Sequence, residues 1–214
     1  MSAQAAVVQL SQPAQLRRAA VLTWLELPRV VAVGVLWIVL ALPVVTGLLG
    51  VPWFLVALGA LPSCLYATGI ARFAASISRG ERPSVREAFR WDVVLGVTME
   101  AGVFAAAALL AGGRALIIPG ALLSALLLLV VPFALSYGAV RGRQGFAAWR
   151  GGLILVAYRP GTALTVLALN CIGAFVVVAS LGVFGVFVPC CLFVFSCAIV
   201  AGQLDEIDRR SGAR

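Results

Sequence analysis

Apolar residues run along this chain in long stretches separated by short polar joints. A helix that crosses a hydrocarbon core of about 30 Å needs about 20 mostly apolar residues. Six stretches reach that length, at roughly 30–49, 56–77, 93–110, 115–139, 162–181 and 184–202. Spans one and two are separated only by the region Gly50–Val51–Pro52–Trp53, and spans five and six only by Gly182–Val183. Joints this short predict helical hairpins. Pro43, Pro62, Pro119, Pro132 and Pro189 fall inside or near the ends of these runs. Proline is tolerated in membrane helices where neighbours satisfy the freed carbonyls, so kinks are expected there and not breaks.

Charge gives the pattern a direction. Arg17, Arg18 and Arg29 precede span one; Arg72, Arg79, Arg82, Arg86 and Arg90 lie between spans two and three. Arg141, Arg143, Arg150 and Arg159 lie between spans four and five, and Arg209, Arg210 and Arg214 follow span six. Of the 16 basic residues, Arg114 alone falls on the opposite side. The positive-inside bias places the rich side in the cytoplasm. The expected layout is a cytoplasmic or interfacial segment over 1–29, a six-helix transmembrane domain over 30–204, and a cytoplasmic tail over 205–214. The N-terminus does not read as a cleaved signal peptide, because its apolar stretch starts near residue 30 and lacks a small-residue cleavage site. Residues 14–27 place Leu16, Ala20, Trp24 and Leu27 on one helical face beside Arg17 and Arg18. Either an interfacial amphipathic helix or a continuation of span one accommodates them.

Composition agrees with the pattern. Of 214 residues, 63% are hydrophobic and 11% charged, less than half the charge content of an ordinary globular domain. That balance excludes a soluble domain, a disordered chain and a disulfide-stapled module. The sequence has no His, which removes the commonest general base and metal ligand. The five Cys lie in apolar stretches without metal or redox spacing and read as small buried hydrophobes. No phosphate-binding GxxxxGK[ST] loop is present. No enzymatic activity, cofactor or metal is expected. The net charge of +8 is spread over membrane flanks, which argues against nucleic acid as a partner.

The two long basic joints carry most of the pattern that orientation alone leaves over. Ser84 followed by Glu87 is a capping-box spacing, predicting a helix that runs on into span three. Phe89 and Trp91 are placed to anchor at the headgroup level while Arg86 and Arg90 meet phosphates. In 142–161, Phe146 and Trp149 alternate with Arg143, Arg150 and Arg159, and Pro160–Gly161 marks the entry to span five. Arg86, Phe89, Arg90, Trp91, Arg143, Trp149 and Arg150 are therefore the candidate cytoplasmic surface. Anionic headgroups explain its charge fully; a docking protein partner is the sharper reading. Ala88–Phe89–Arg90 and Ala148–Trp149–Arg150 stand 60 residues apart, as in a duplicated helix–elbow–helix unit or by chance.

Polar groups inside the spans are few. Glu100 lies nine residues after Trp91 in span three, and Asn170, the one Asn of the chain, nine after Gly161 in span five. The same count back from Arg72 and Asp205 reaches Ser63 and Ser196. All four are expected near the midplane, with Pro132 and Trp37 at similar depth. An intramembrane acid is a functional hypothesis because its charged form costs several kcal/mol unless paired. In one reading Glu100 is protonated or hydrogen-bonded and fixes helix packing. In the other, Glu100, Asn170, Ser63 and Ser196 line a cavity for a polar solute or proton.

Leu36–Trp37 followed by Leu42–Pro43–Val44–Val45–Thr46 resembles the N-terminal signature of the YesL-type family of bacterial six-helix membrane proteins. Ser84–Val85–Arg86–Glu87–Ala88–Phe89–Arg90 is similar to the family's amphipathic segment after the second helix. Ala148–Trp149–Arg150, Tyr158–Arg159–Pro160 and Thr162–Leu164 resemble its second basic segment. The resemblance implies a multi-pass protein of the bacterial inner membrane without established activity. It also implies an accessory role beside a carbohydrate import system, with transporter subunits as partners. The expectation is thus an all-α polytopic bundle with six spans and both termini cytoplasmic, acting as accessory or scaffold. The alternative is a small-solute transporter or channel around Glu100 and Asn170.

Overall fold

The computed structural model describes residues 12–47, 53–180 and 182–212. The expected joint at Gly50–Val51–Pro52, the end of span five at Leu181, the first eleven residues and Arg214 lie outside the described residues, as does the side chain of Pro43. Each of the six apolar stretches is helical: α2 (Leu27–Gly47), α3 (Trp53–Arg79), α4 (Val93–Ala111), α5 (Arg114–Arg141), α7 (Pro160–Ala179) and α8 (Val188–Gly212). Two further helices, α1 (Gln12–Leu25) and α6 (Phe146–Tyr158), and two 3-10 turns, Val85–Phe89 and Val183–Val186, fill the joints. No strand occurs among the described residues. The architecture is all-α.

By length and apolarity, α4, α5, α7 and α8 can cross a membrane, and the bent pair Arg17–Leu25 with Leu27–Leu42 raises the number to as many as five. That pair turns through 83°, so α1 does not extend α2 along one axis. It buries Ala19 and Thr23, while Trp24 stays 74% exposed. The expected stripe through Ala20 and Trp24 therefore faces away from the protein. Helices α3 and α5 run unbroken through Pro62, Pro119 and Pro132. Pro160 opens α7 at its first position, where the missing N–H has no helical partner to lose.

Helix α8 is the axis of the bundle, packing on α1, α2, α3, α5 and α7. Tyr66, Ile70, Phe73 and Ile77 of α3 meet Val30 and Val33 of α2 and Cys190, Val194 and Cys197 of α8. A second cluster joins Leu95 and Met99 of α4 to Ala134 and Leu135 of α5 and Ala148 of α6. A third gathers Phe133, Leu155, Val166, Val200 and Leu204 from α5, α6, α7 and α8. In lipid, close packing of small residues replaces the hydrophobic drive between helices. Gly152 of α6 lies so close to α5 that a Cβ there would sit 2.6 Å from the backbone nitrogen of Ala134. At the arginine-rich end, Arg141 and Arg159 pair with Asp208 and Glu206, tying α5 and the start of α7 to α8.

Candidate functional site

The joints between α3 and α4 and between α5 and α6 fold as two elbows. Ser84 caps only the short Val85–Phe89 turn, its Oγ accepting from the Arg86 N–H at 3.3 Å. The chain leaves helical geometry at Arg90, so the expected helix running into span three is interrupted. Asp92 restarts it. Its Oδ1 accepts the Leu95 N–H at 3.0 Å, capping α4, which is the N-cap role that short carboxylates fill well. Its own backbone N–H donates to Thr68 Oγ1 of α3 at 2.9 Å.

The second oxygen of Asp92 reaches the other elbow. Oδ2 accepts the Gly145 N–H at 2.7 Å, at the start of α6. Nearby, the Trp149 ring N–H donates to Thr98 Oγ1 of α4 at 2.7 Å. The two elbows are thereby one unit. Each also docks a fully buried alanine on a glycine of the helix before it. A Cβ at Gly69 would fall 1.9 Å from the Ala88 carbonyl oxygen, and one at Gly138 would fall 3.2 Å from the Ala148 Cβ.

The joined elbows carry the candidate surface residues. Arg86, Arg90, Arg143 and Arg150 are exposed, and no ion pair among the described residues involves them, whereas Arg29, Arg79, Arg141, Arg159 and Arg210 each hold a carboxylate. Phe89 is half-exposed with its ring edge against Tyr66, centroids 5.9 Å apart. Trp91 is exposed, and Trp149 is part-buried against the second cluster, with its ring N–H on Thr98. The surface is thus cationic and aromatic, on a backbone fixed from beneath.

The four polar residues of the apolar runs separate into three places. Asn170 and Ser196 share the wall of a cavity of about 460 Å³ with Trp37 and Pro132. Ser63 is elsewhere, donating to the Leu40 carbonyl at 2.7 Å and so bonding α3 to α2. Glu100 is part-buried on α4 and does not line the cavity. Helix α4 packs on α3, α5 and α6, while α7, which carries Asn170, packs on α5, α6 and α8.

No family model, curated protein or solved structure matches this chain.

The residue that sequence reasoning missed is Asp92. It closes an arginine-rich polar joint, yet it is 6% exposed and links three elements. A short carboxylate directly before an apolar helical run is an N-cap signal, and that signal was present in Asp92–Val93–Val94–Leu95. Its bond to Gly145 had no local signature.

Proposed function

We propose that this chain is a six-span scaffold of the bacterial inner membrane, with both termini cytoplasmic and no catalytic role. The single observation that carries this reading is the Asp92 joint. It holds two arginine and aromatic elbows as one platform at the arginine-rich end of the bundle. A surface fixed in this way keeps its guanidinium groups in a constant arrangement, which suits recognition of an acidic partner surface. Helix α3 supplies the sixth crossing: at 27 residues it is about 40 Å long, and its arginines fall only at Arg72 and Arg79. The YesL-type resemblance names the partner class, a subunit of a carbohydrate importer. A solute path between Glu100 and Asn170 has less support, since Asn170 lines the cavity and Glu100 does not.

Purification in mild detergent from cells that make the protein tests the scaffold reading. A transporter subunit is expected to copurify with the native chain. It is expected to be lost when Arg86, Arg90, Arg143 and Arg150 are all changed to Gln, with the melting temperature unchanged. Absence of any transporter subunit, or its full retention by the variant, would overturn the proposal.

A further inference from the structure

The cavity beside α8 has a chemistry of its own. It runs along α7 from Asn170 to Val178 and along α8 from Ser196 back to Val188, about 12 Å at 1.5 Å per residue. Its polar groups gather at one end. Ser196 is 4% exposed and makes no side-chain hydrogen bond among the described residues. Asn170 uses one amide proton on the Val166 carbonyl at 2.8 Å, which leaves its second proton and its oxygen. Pro132 has no N–H to give the carbonyl of Leu128 four residues earlier, and both residues line the same wall. Asn170, Ser196 and Pro132 thus share one cavity whose lining is otherwise apolar apart from the ring N–H of Trp37. Among the described residues no ionisable side chain lines the cavity, so a charged guest would be left unpaired in a medium where that costs several kcal/mol. Leu128 of α5 and Val178 of α7 are lining residues that are also exposed, Val178 at 74%. The mouth therefore opens sideways, between two helices apolar enough to span a membrane.

We propose that this cavity binds an uncharged, membrane-borne amphiphile, its single hydroxyl or carbonyl group held by Asn170 and Ser196 and its apolar chain leaving between α5 and α7. The volume accommodates such a guest, falling within the range of small-molecule sites. A hydroxyl matches the wall best, because it can donate to the Leu128 carbonyl and accept from Asn170 or Ser196.

The test uses the full chain in lipid nanodiscs and a long-chain alcohol carrying a photoactivatable diazirine, with cross-links mapped by mass spectrometry. Saturable labelling is expected on α7 and α8 peptides, competed by the unlabelled alcohol and not by a fatty acid of equal length. Ser196→Ala is expected to weaken labelling about fivefold, the loss of one hydrogen bond. Ala174→Phe, which fills the cavity, is expected to abolish it; Val178→Trp at the mouth serves the same end should Ala174→Phe fail to fold. Labelling spread evenly over the exposed faces of α4 and α5, insensitive to competitor and to either block, would overturn the site. Equal competition by the fatty acid would overturn the uncharged head group.

Discussion

The carboxylate of Asp92 accepts the backbone N–H of Gly145 from 53 residues away, at 2.7 Å, while capping its own helix through Leu95. Asp92→Ala removes both acceptors. A buried N–H left without a partner costs about 1–3 kcal/mol, and a lost N-cap about 1 kcal/mol more. The expected result is a clear drop in the melting temperature in detergent, with faster proteolysis at Arg143. Asp92→Asn keeps one acceptor oxygen and is expected to fall between. A melting curve for Asp92→Ala that overlays the native one would remove Asp92 from its structural role.

The apolar runs placed six helices to within a few residues, except that α8 continues past the expected end near 202 to Gly212. They did so because a membrane helix must satisfy its backbone internally and needs a long apolar stretch to do so. Pro160 and the Gly182 joint were legible for the same local reason. The capping-box spacing of Ser84 and Glu87 was legible too, but it overran: a turn of five residues stands where a continuous helix was expected. What stopped it is tertiary, the docking of Ala88 on Gly69 and the bond of Asp92 to Thr68. Counting depth from the flanking charges sets Asn170 and Ser196 at one level, and the two line one cavity. It could not tell which helix faces meet, so it grouped Glu100 and Ser63 with them.

Glycine spacing in the first span has a measurable consequence. A Cβ on Gly34 would lie 1.4 Å from the carbonyl oxygen of Val186, whereas one on Gly161 would meet nothing within 4 Å. Backbone cannot swing aside as a long side chain can. Gly34→Ala is therefore expected to cost about 1–3 kcal/mol, the usual range for overpacking, by pushing the turn between α7 and α8 off α2. Gly161→Ala near the start of α7 is the matched control and is expected to melt like the native protein. Equal melting of the two variants would mean that the α2 contact is not held in the membrane.

Glu100 stands in the apolar window of α4, without a hydrogen bond or ion pair among the described residues. An acid in that position destabilises insertion by about 2.5–3.5 kcal/mol when charged. Glu100→Leu is expected to raise the unfolding temperature in nanodiscs, and Glu100→Gln to raise it less. A fall in both variants would show that Glu100 is held by a partner that assembles with the bundle.

The orientation rests on a charge asymmetry that cysteine labelling reads directly. Arg114 opens α5 and Arg82 lies in the first elbow joint, and both are exposed. Each basic residue near the inner surface gains about 1 kcal/mol from anionic lipid, so a side that gathers nearly all the arginines is strongly favoured to stay inside. In a background with the five native cysteines changed to Ala, Arg114→Cys is expected to react with a membrane-impermeant maleimide in intact cells. Arg82→Cys is expected to react only after permeabilisation. The two sites flank α4 at its two ends, so their labelling must be reciprocal if α4 spans the bilayer. Labelling of Arg82→Cys alone in intact cells would invert the orientation; labelling of both would remove α4 from the set of spans.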